Sequence, residues 1–513
     1  MRRKISSGKM RARPIPDAIF AAAFGRDPVL QLNSREDLTL DLVHRVAWRS
    51  EPLELGAAAR ARIAGRRADF EQLLQDPLHG VYGVNQGQGE MIRYRLTEKQ
   101  IARLAQLKPF PAAVAFGENF PPRVVRAMAL ARFANFLDGH AMATPRLADA
   151  IIALLNAGTL PEVACSGQGG AGEILATYPL FAALSERFEL LPGERGALIN
   201  GSPCAAALVA DVALAARRRL DLVQQVLALA VFAFGAPREH YDPALGALWG
   251  GPYHPLAFQA LNEMLGAPET VQRSHQAPVS YRIVPAVLAQ AHWAVGQAEA
   301  IARTALSAVT HNPTYLAPDD DHPLGRCIST GGFHNALAAP AMDNVTGAWA
   351  DLCLLAERLV VGLLNGRVSG FSDFLLDDRD PSESDGHGAL GYLPMAIAGF
   401  VEEARALAQR SFIPAVDASV FGQDDVASPV FLAWPKAEKA GAVLDRALAV
   451  LAVVASQALH LTDRNPESGA LRNLLGKVRE SVPVVTSDRV LGPQLQALSS
   501  YFGVSIFGMT LRI

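Results

Sequence analysis

The run Val345-Thr346-Gly347-Ala348-Trp349-Ala350-Asp351-Leu352-Cys353-Leu354-Leu355-Ala356-Glu357-Arg358-Leu359-Val360-Val361-Gly362-Leu363 sets Trp349, Leu352, Ala356, Leu359 and Leu363 three or four residues apart. That spacing draws one apolar stripe down a helix of 3.6 residues per turn, so the segment reads as a long packed helix. Similar stripes run over Met395 to Arg410 and Lys436 to Leu461, and helical composition continues over Gly56 to Leu74, Val124 to Leu137, Leu147 to Leu155 and from Gly201 to about residue 305. Strand signals are short, as in Val482 to Thr486, which Pro483 interrupts. The fold class is therefore mainly α, a bundle of long helices with irregular loops carrying the polar residues.

Half of the 513 residues are hydrophobic and 19% are charged, enough to bury a large continuous core. The 47 basic and 50 acidic residues nearly cancel, and no long basic run offers a phosphate-neutralising surface, which argues against a nucleic-acid partner. Arg2 to Arg13 is basic but is followed by Pro14 and Pro16 instead of an apolar stretch, so residues 1–36 read as a flexible tail, not a secretory signal. The apolar runs Val226 to Gly235 and Leu444 to Leu459 fall short of the ~20 residues that span a bilayer and read as core helices, with no membrane partner. Cys165, Cys204, Cys327 and Cys353 lie far apart and form no CxxC pair, which suits a reducing cytoplasm. Asp319-Asp320-Asp321 with His322 reads as a solvated turn, and no metal site is assigned.

Two glycine-rich loops break the helical texture. Tyr82-Gly83-Val84-Asn85-Gln86-Gly87-Gln88-Gly89 and Ser166 to Gly172 both suit backbone that packs closely or takes up positive φ. The first resembles the Tyr-Gly-Val-Asn-Thr-Gly-Phe-Gly loop of the histidine and aromatic amino-acid ammonia-lyases. Further landmarks follow in that family's order: Ala197-Leu198-Ile199-Asn200-Gly201, Tyr241-Asp242-Pro243 with His254-Pro255, Gln276-Ala277-Pro278-Val279-Ser280-Tyr281-Arg282, His311-Asn312-Pro313, Gly331-Gly332-Phe333-His334 and Gly422-Gln423-Asp424-Asp425. Together they cover roughly residues 37 to 430. The resemblance implies a helical homotetramer whose active sites are assembled from several subunits, and a division into residues 37–225, bearing the active-site loops, and 226–513, forming the bundle.

Active members of that family cyclise and dehydrate an Ala-Ser-Gly tripeptide to methylidene-imidazolone, an electrophile that needs the serine hydroxyl as its leaving group. Here the corresponding stretch is Gly170-Ala171-Gly172, followed by Glu173; the serine position falls on Ala171 or, in a gap-free alignment, on Gly172. The electrophile is expected to be absent, with no other cofactor in its place. Cys165-Ser166-Gly167 remains as a shifted x-Ser-Gly alternative. Val279 occupies the place of the family's second essential tyrosine, and Tyr281 substitutes for it only if residues 276–282 are extended. The family's Ser-His ahead of the electrophile loop is missing from Ala112 to Phe120, which disfavours histidine as substrate.

What the resemblance leaves is a polar constellation: Tyr82, Tyr281 and Asp424 as candidate acid-base groups, Arg282 as a carboxylate clamp, and Asn200, Gln276, Asn312, Phe333 and Gln423 lining the substrate. A planar guanidinium suits a carboxylate because it donates two parallel hydrogen bonds. His311 and His334 read as interior residues. Three functions fit: an acid-base enzyme without the electrophile, acting by elimination, addition, isomerisation or cyclisation on a carboxylated aromatic or unsaturated molecule of specialised metabolism; a silent scaffold or binding protein, alone or assembled with an active paralogue; and an ordinary lyase with its electrophile at Ser166.

Overall fold

The computed structural model describes residues 29–87, 93–109, 112, 114–266, 276–377, 390–414, 424–487 and 489–508. Its centre is a bundle of five helices: α1 (Pro203–Phe234), α2 (Val284–Ser307), α3 (Ala338–Leu364), α4 (Leu393–Leu407) and α5 (Val430–Leu461). α1 is apolar almost all round, as a helix enclosed on every side must be, with Pro203 in its first turn and Gly235 closing it at φ 71°. On α3 the stripe from Trp349 to Leu363 is buried throughout.

Side-chain contacts fix the helix directions. Trp434 near the start of α5 donates to Asp211 near the start of α1, and Lys436 pairs with Asp343 near the start of α3. At the opposite pole Arg464 donates to the Phe232 and Ala233 carbonyls at the end of α1. α2 runs the other way: Tyr281, just before it, stacks on Phe234, while Thr310, just after it, accepts from Ser202. So α1, α3 and α5 run from a loop-rich pole to a far pole and α2 returns.

One hydrophobic cluster extends from Leu32 to Phe502, and the division expected at residues 225/226 falls inside α1. A continuous helix therefore joins the two parts in place of a linker. Leu30–Leu32, inside the stretch read as a tail, forms the strand β1, which pairs in parallel with β2 (Leu53–Leu55) and buries Leu32. Val482 to Thr486 forms no strand: Gln457 holds Val485 from both sides, accepting from its N–H at 3.0 Å and donating to its carbonyl at 2.9 Å. Glu194–Phe234 and Val430–Leu461 are long and apolar enough to cross a bilayer, longer than the sequence runs suggested, but 94% and 89% of their most apolar windows are buried inside the fold.

Candidate functional site

The Tyr82 turn is built around Asn85. Its side chain accepts from the Val81 N–H at 2.6 Å and donates to the His79 carbonyl at 2.9 Å, while Gly83 takes φ 69°. Val81 and Val84 bury themselves with Phe70, Leu73, Met142 and Tyr315. Tyr82 lies between the two buried valines and stays partly exposed. Tyr315 sits in the strand β3 (Thr314–Leu316), directly after Asn312 and Pro313, so the Tyr82 turn is packed onto the segment that carries Asn312.

The hairpin of β3 with β4 (Arg326–Ile328) brings together two motifs that the sequence separates. Thr314 pairs with Ile328, and at the open end the Asn312 side chain accepts from the Thr330 N–H at 2.9 Å, three residues before Phe333. At the closed end Asp319 accepts from the Asp321 and His322 N–H groups, so the acidic trio is a self-capped turn. Asn200 donates to the Asn312 carbonyl, and its own carbonyl accepts from the buried Arg132. Phe333 meets the glycine loop: a Cβ on Gly172 would lie 3.4 Å from its ring, and φ is 63° there.

Glu173 anchors this loop. Fully inside the fold, its carboxylate accepts from the Cys204 and Ala205 N–H groups at 2.5 and 2.6 Å, capping the positive end of α1. Burial pushes its pKa up to about 7, against the opposing pull of those amides and of Arg132. A folded-state pKa above the ordinary value means that the fold holds this proton more tightly than the unfolded chain. The resulting stability is full below the ordinary carboxylate range and is lost as pH rises through about 7. The urea midpoint difference between wild type and Glu173→Gln is therefore expected to change across that window and level off above it; a constant difference would contradict the assignment.

His311 is interior, and burial next to Arg132 lowers its pKa to about 3, so the ring is neutral. Asn135 accepts from the Thr310 and His311 N–H groups at 2.8 and 3.1 Å. Sequence reasoning missed Arg132, Asn135 and Glu173 as supports of the loop pole. Only Glu173 carried a signal, an acid a few residues after a glycine loop, because the others lie in ordinary helical sequence.

Asn200, Asn312, Phe333, Gly170, Ala171 and Gly172 thus gather at the loop pole with the Tyr82 turn fastened beside them. Asp424 precedes α5 at the same pole, and burial with the Asp425 charge raises its pKa. Gln423, Gln88 and Gly89 lie outside the described residues. Three other candidates are elsewhere. Gln276 and Arg282 stand exposed at the far pole, roughly 30 Å from Phe333 as measured along α3 from Ala338 to Leu359, which Tyr281 touches. Residues Val279–Arg282 form a helical turn instead of a strand, which sends Val279 outward at 60% exposure and Tyr281 inward at 0%. The Tyr281 hydroxyl donates to the Leu359 carbonyl at 3.0 Å and its ring stacks on Phe234 at 3.9 Å. Tyr281 is a core residue and does not replace the tyrosine missing at 279.

Ser166, the alternative hydroxyl, donates to the Phe116 carbonyl at 2.9 Å, and Cys165 donates its N–H to Glu118 at 2.8 Å. The x-Ser-Gly stretch is thus held in a ladder against residues 116–119.

Comparison with known proteins agrees with this architecture. The model of the aromatic amino acid lyase family matches residues 38–186 and 176–480. A histidine ammonia-lyase of Symbiobacterium thermophilum is 29% identical over 490 residues, covering 90% of this chain and 94% of the relative, and one of Deinococcus radiodurans is 27% identical over 93% and 94%. Among solved structures, ergothionase from Treponema denticola superposes with a TM-score of 0.83 at 18% identity, covering 94% of this chain and all of that one. A tyrosine aminomutase of Streptomyces globisporus gives 0.80 at 22%, over 94% of this chain and all of that one; at such identities the likeness concerns the fold alone. With that helical architecture, the ordered motifs and a family match along most of its length, the chain belongs to the aromatic amino acid lyase family.

Proposed function

We propose that this family member works without methylidene-imidazolone, as an acid-base enzyme on a small carboxylated aromatic or unsaturated molecule. The observation that carries this is the tripeptide itself. Gly172 has positive φ and a Cβ there would meet the Phe333 ring at 3.4 Å, which supports reading it as the terminal glycine with Ala171 in the middle; neither residue has a hydroxyl to be eliminated. The residues present do not fit the electrophile. Tyr82 supplies the base, with Asn200 and Asn312 orienting the substrate and Phe333 lining the pocket. A substrate with a proton acidified by a neighbouring carbonyl or conjugated system needs no electrophilic activation before a tyrosinate removes that proton.

Intact mass tests this directly. The purified chain is expected at the mass of its sequence; a deficit of two waters would place the electrophile at Ser166 and restore ordinary lyase chemistry.

The split between poles supports an oligomeric site, in which Arg282 and Gln276 of one subunit meet the loop pole of another in a homotetramer. Neither Tyr82→Phe nor Arg282→Ala alone is then expected to be active. Refolding the two together restores activity in about a quarter of the sites, those that receive an intact half from each chain. Failure to exceed the sum of the separate variants would place the whole site within one chain. The exposed Val279 favours a second reading, a binding or scaffold protein, since the far-pole half then contributes no acid-base group. Under that reading carboxylated ligands bind but none turns over.

A further inference from the structure

Midway along α1, away from both poles, an open cavity of about 1020 Å³ lies between that helix, the helix Gly469–Ser481 and the helix Gly492–Gly508. Arg217 and Arg218 reach it roughly 20 Å along the axis from Pro203. Its lining combines apolar side chains, Leu222, Met264, Leu474 and Phe502, with the cations Arg217, Arg218, Arg472 and Lys477 and the carboxylate Asp221.

Two of those cations are already neutralised, Arg217 by Glu299 in a two-bond pair at 2.7 and 2.9 Å and Lys477 by Glu480 at 2.7 Å. Arg218 is not. It is 7% exposed and bonds only neutral acceptors, the Ile506 carbonyl at 2.8 Å and His44 Nε2 at 2.7 Å, with Trp48 under its guanidinium and its Nε unpartnered. No carboxylate lies within 4.0 Å of it among the described residues. Arg472, exposed on the facing helix, has no side-chain partner among the described residues either. Burial and the nearby Arg49 disfavour the charge on Arg218, and Asp221 opposes them only from beyond contact distance, so an anion entering the cavity is favoured there.

We propose that this cavity is a second ligand site, distinct from the candidate active site, which takes a small molecule bearing one carboxylate on an apolar, ring-sized body. The carboxylate lies between Arg218 and Arg472 and the body covers Leu222, Met264 and Phe502. Burial raises the pKa of Asp221 against the pull of Arg217 and Arg218, so the ligand carboxylate has one wall carboxylate to share those cations with. The inference stands on this cavity alone and is independent of the chemistry assigned to the loop pole.

The test is calorimetric titration of 3-phenylpropanoate into the full chain carrying Arg282→Ala, which removes the carboxylate clamp of the candidate active site. One molecule is expected to bind per chain. Arg472→Glu, on an exposed helical position, should weaken binding about tenfold or more, as expected for a lost charge-assisted hydrogen bond, and Arg472→Lys should retain most of it. The neutral 3-phenylpropanamide and the bodiless acetate should each bind at least about tenfold more weakly. No binding to the parent, equal binding after Arg472→Glu at unchanged melting temperature, or equal binding of the amide overturns the proposal. So does an Arg472→Glu chain that changes oligomeric mass while the parent binds nothing, because the cavity is then covered by a second copy.

Discussion

Asp445→Ala is expected to destabilise the chain by about 3–5 kcal/mol, the cost of leaving a buried charge without its partner. Arg219 and Asp445 face each other across α1 and α5 with side chains only 5% and 4% exposed, joined by two parallel bonds of 2.9 and 3.1 Å. Gly441 makes room for the guanidinium, since a Cβ there would lie 2.4 Å from it. After the substitution Arg219 has no carboxylate in contact among the described residues, and Glu438 attracts it only from farther off. The pair Arg219→Met with Asp445→Leu should be far milder, because replacing both charges by apolar groups removes the desolvation cost with the attraction. Urea midpoints at one fixed protomer concentration check both. Equal losses in the single and double variants would mean that the pair's packing volume matters and its charge does not.

Tyr82→Phe is expected to lower kcat by about 10²–10⁴-fold, the usual contribution of a positioned acid-base group. The shape of the turn should hold, because Asn85, Val81 and Val84 organise it, and a urea midpoint measured beside the activity separates a lost base from a loosened turn. Phenylalanine keeps the ring and removes only the hydroxyl, donor and acceptor together. A screen of carboxylated aromatic and unsaturated compounds that finds turnover in wild type, and the same turnover in Tyr82→Phe, would remove Tyr82 from the chemistry and leave Asp424 as the acid-base candidate at that pole. Loss of ligand binding together with activity would point instead to a packing role.

Periodicity alone made the bundle legible. The stripe from Trp349 to Leu363 is buried as read, and the Met395 and Lys436 stripes became α4 and α5. The ordered motifs made the loop pole legible, because each contains its own turn chemistry: Gly83 and Asn85 shape the Tyr82 turn wherever it is placed. The absence of a hydroxyl at 170–172 is likewise a fact of sequence.

Three matters depended on tertiary structure. Whether Tyr281 replaces a missing tyrosine rested on helix against strand over four residues, and local sequence cannot decide that when the outcome is set by Phe234 and Leu359, distant in the chain and adjacent in space. That Arg282 stands far from Asn312 follows from helices α2 and α3 running the full length of the bundle between them, a distance that motif order does not encode. Arg132, Glu173 and Arg218 gained meaning only once folding withdrew them from water, since a charge is ordinary in a sequence and becomes costly where the fold gives it no solvent.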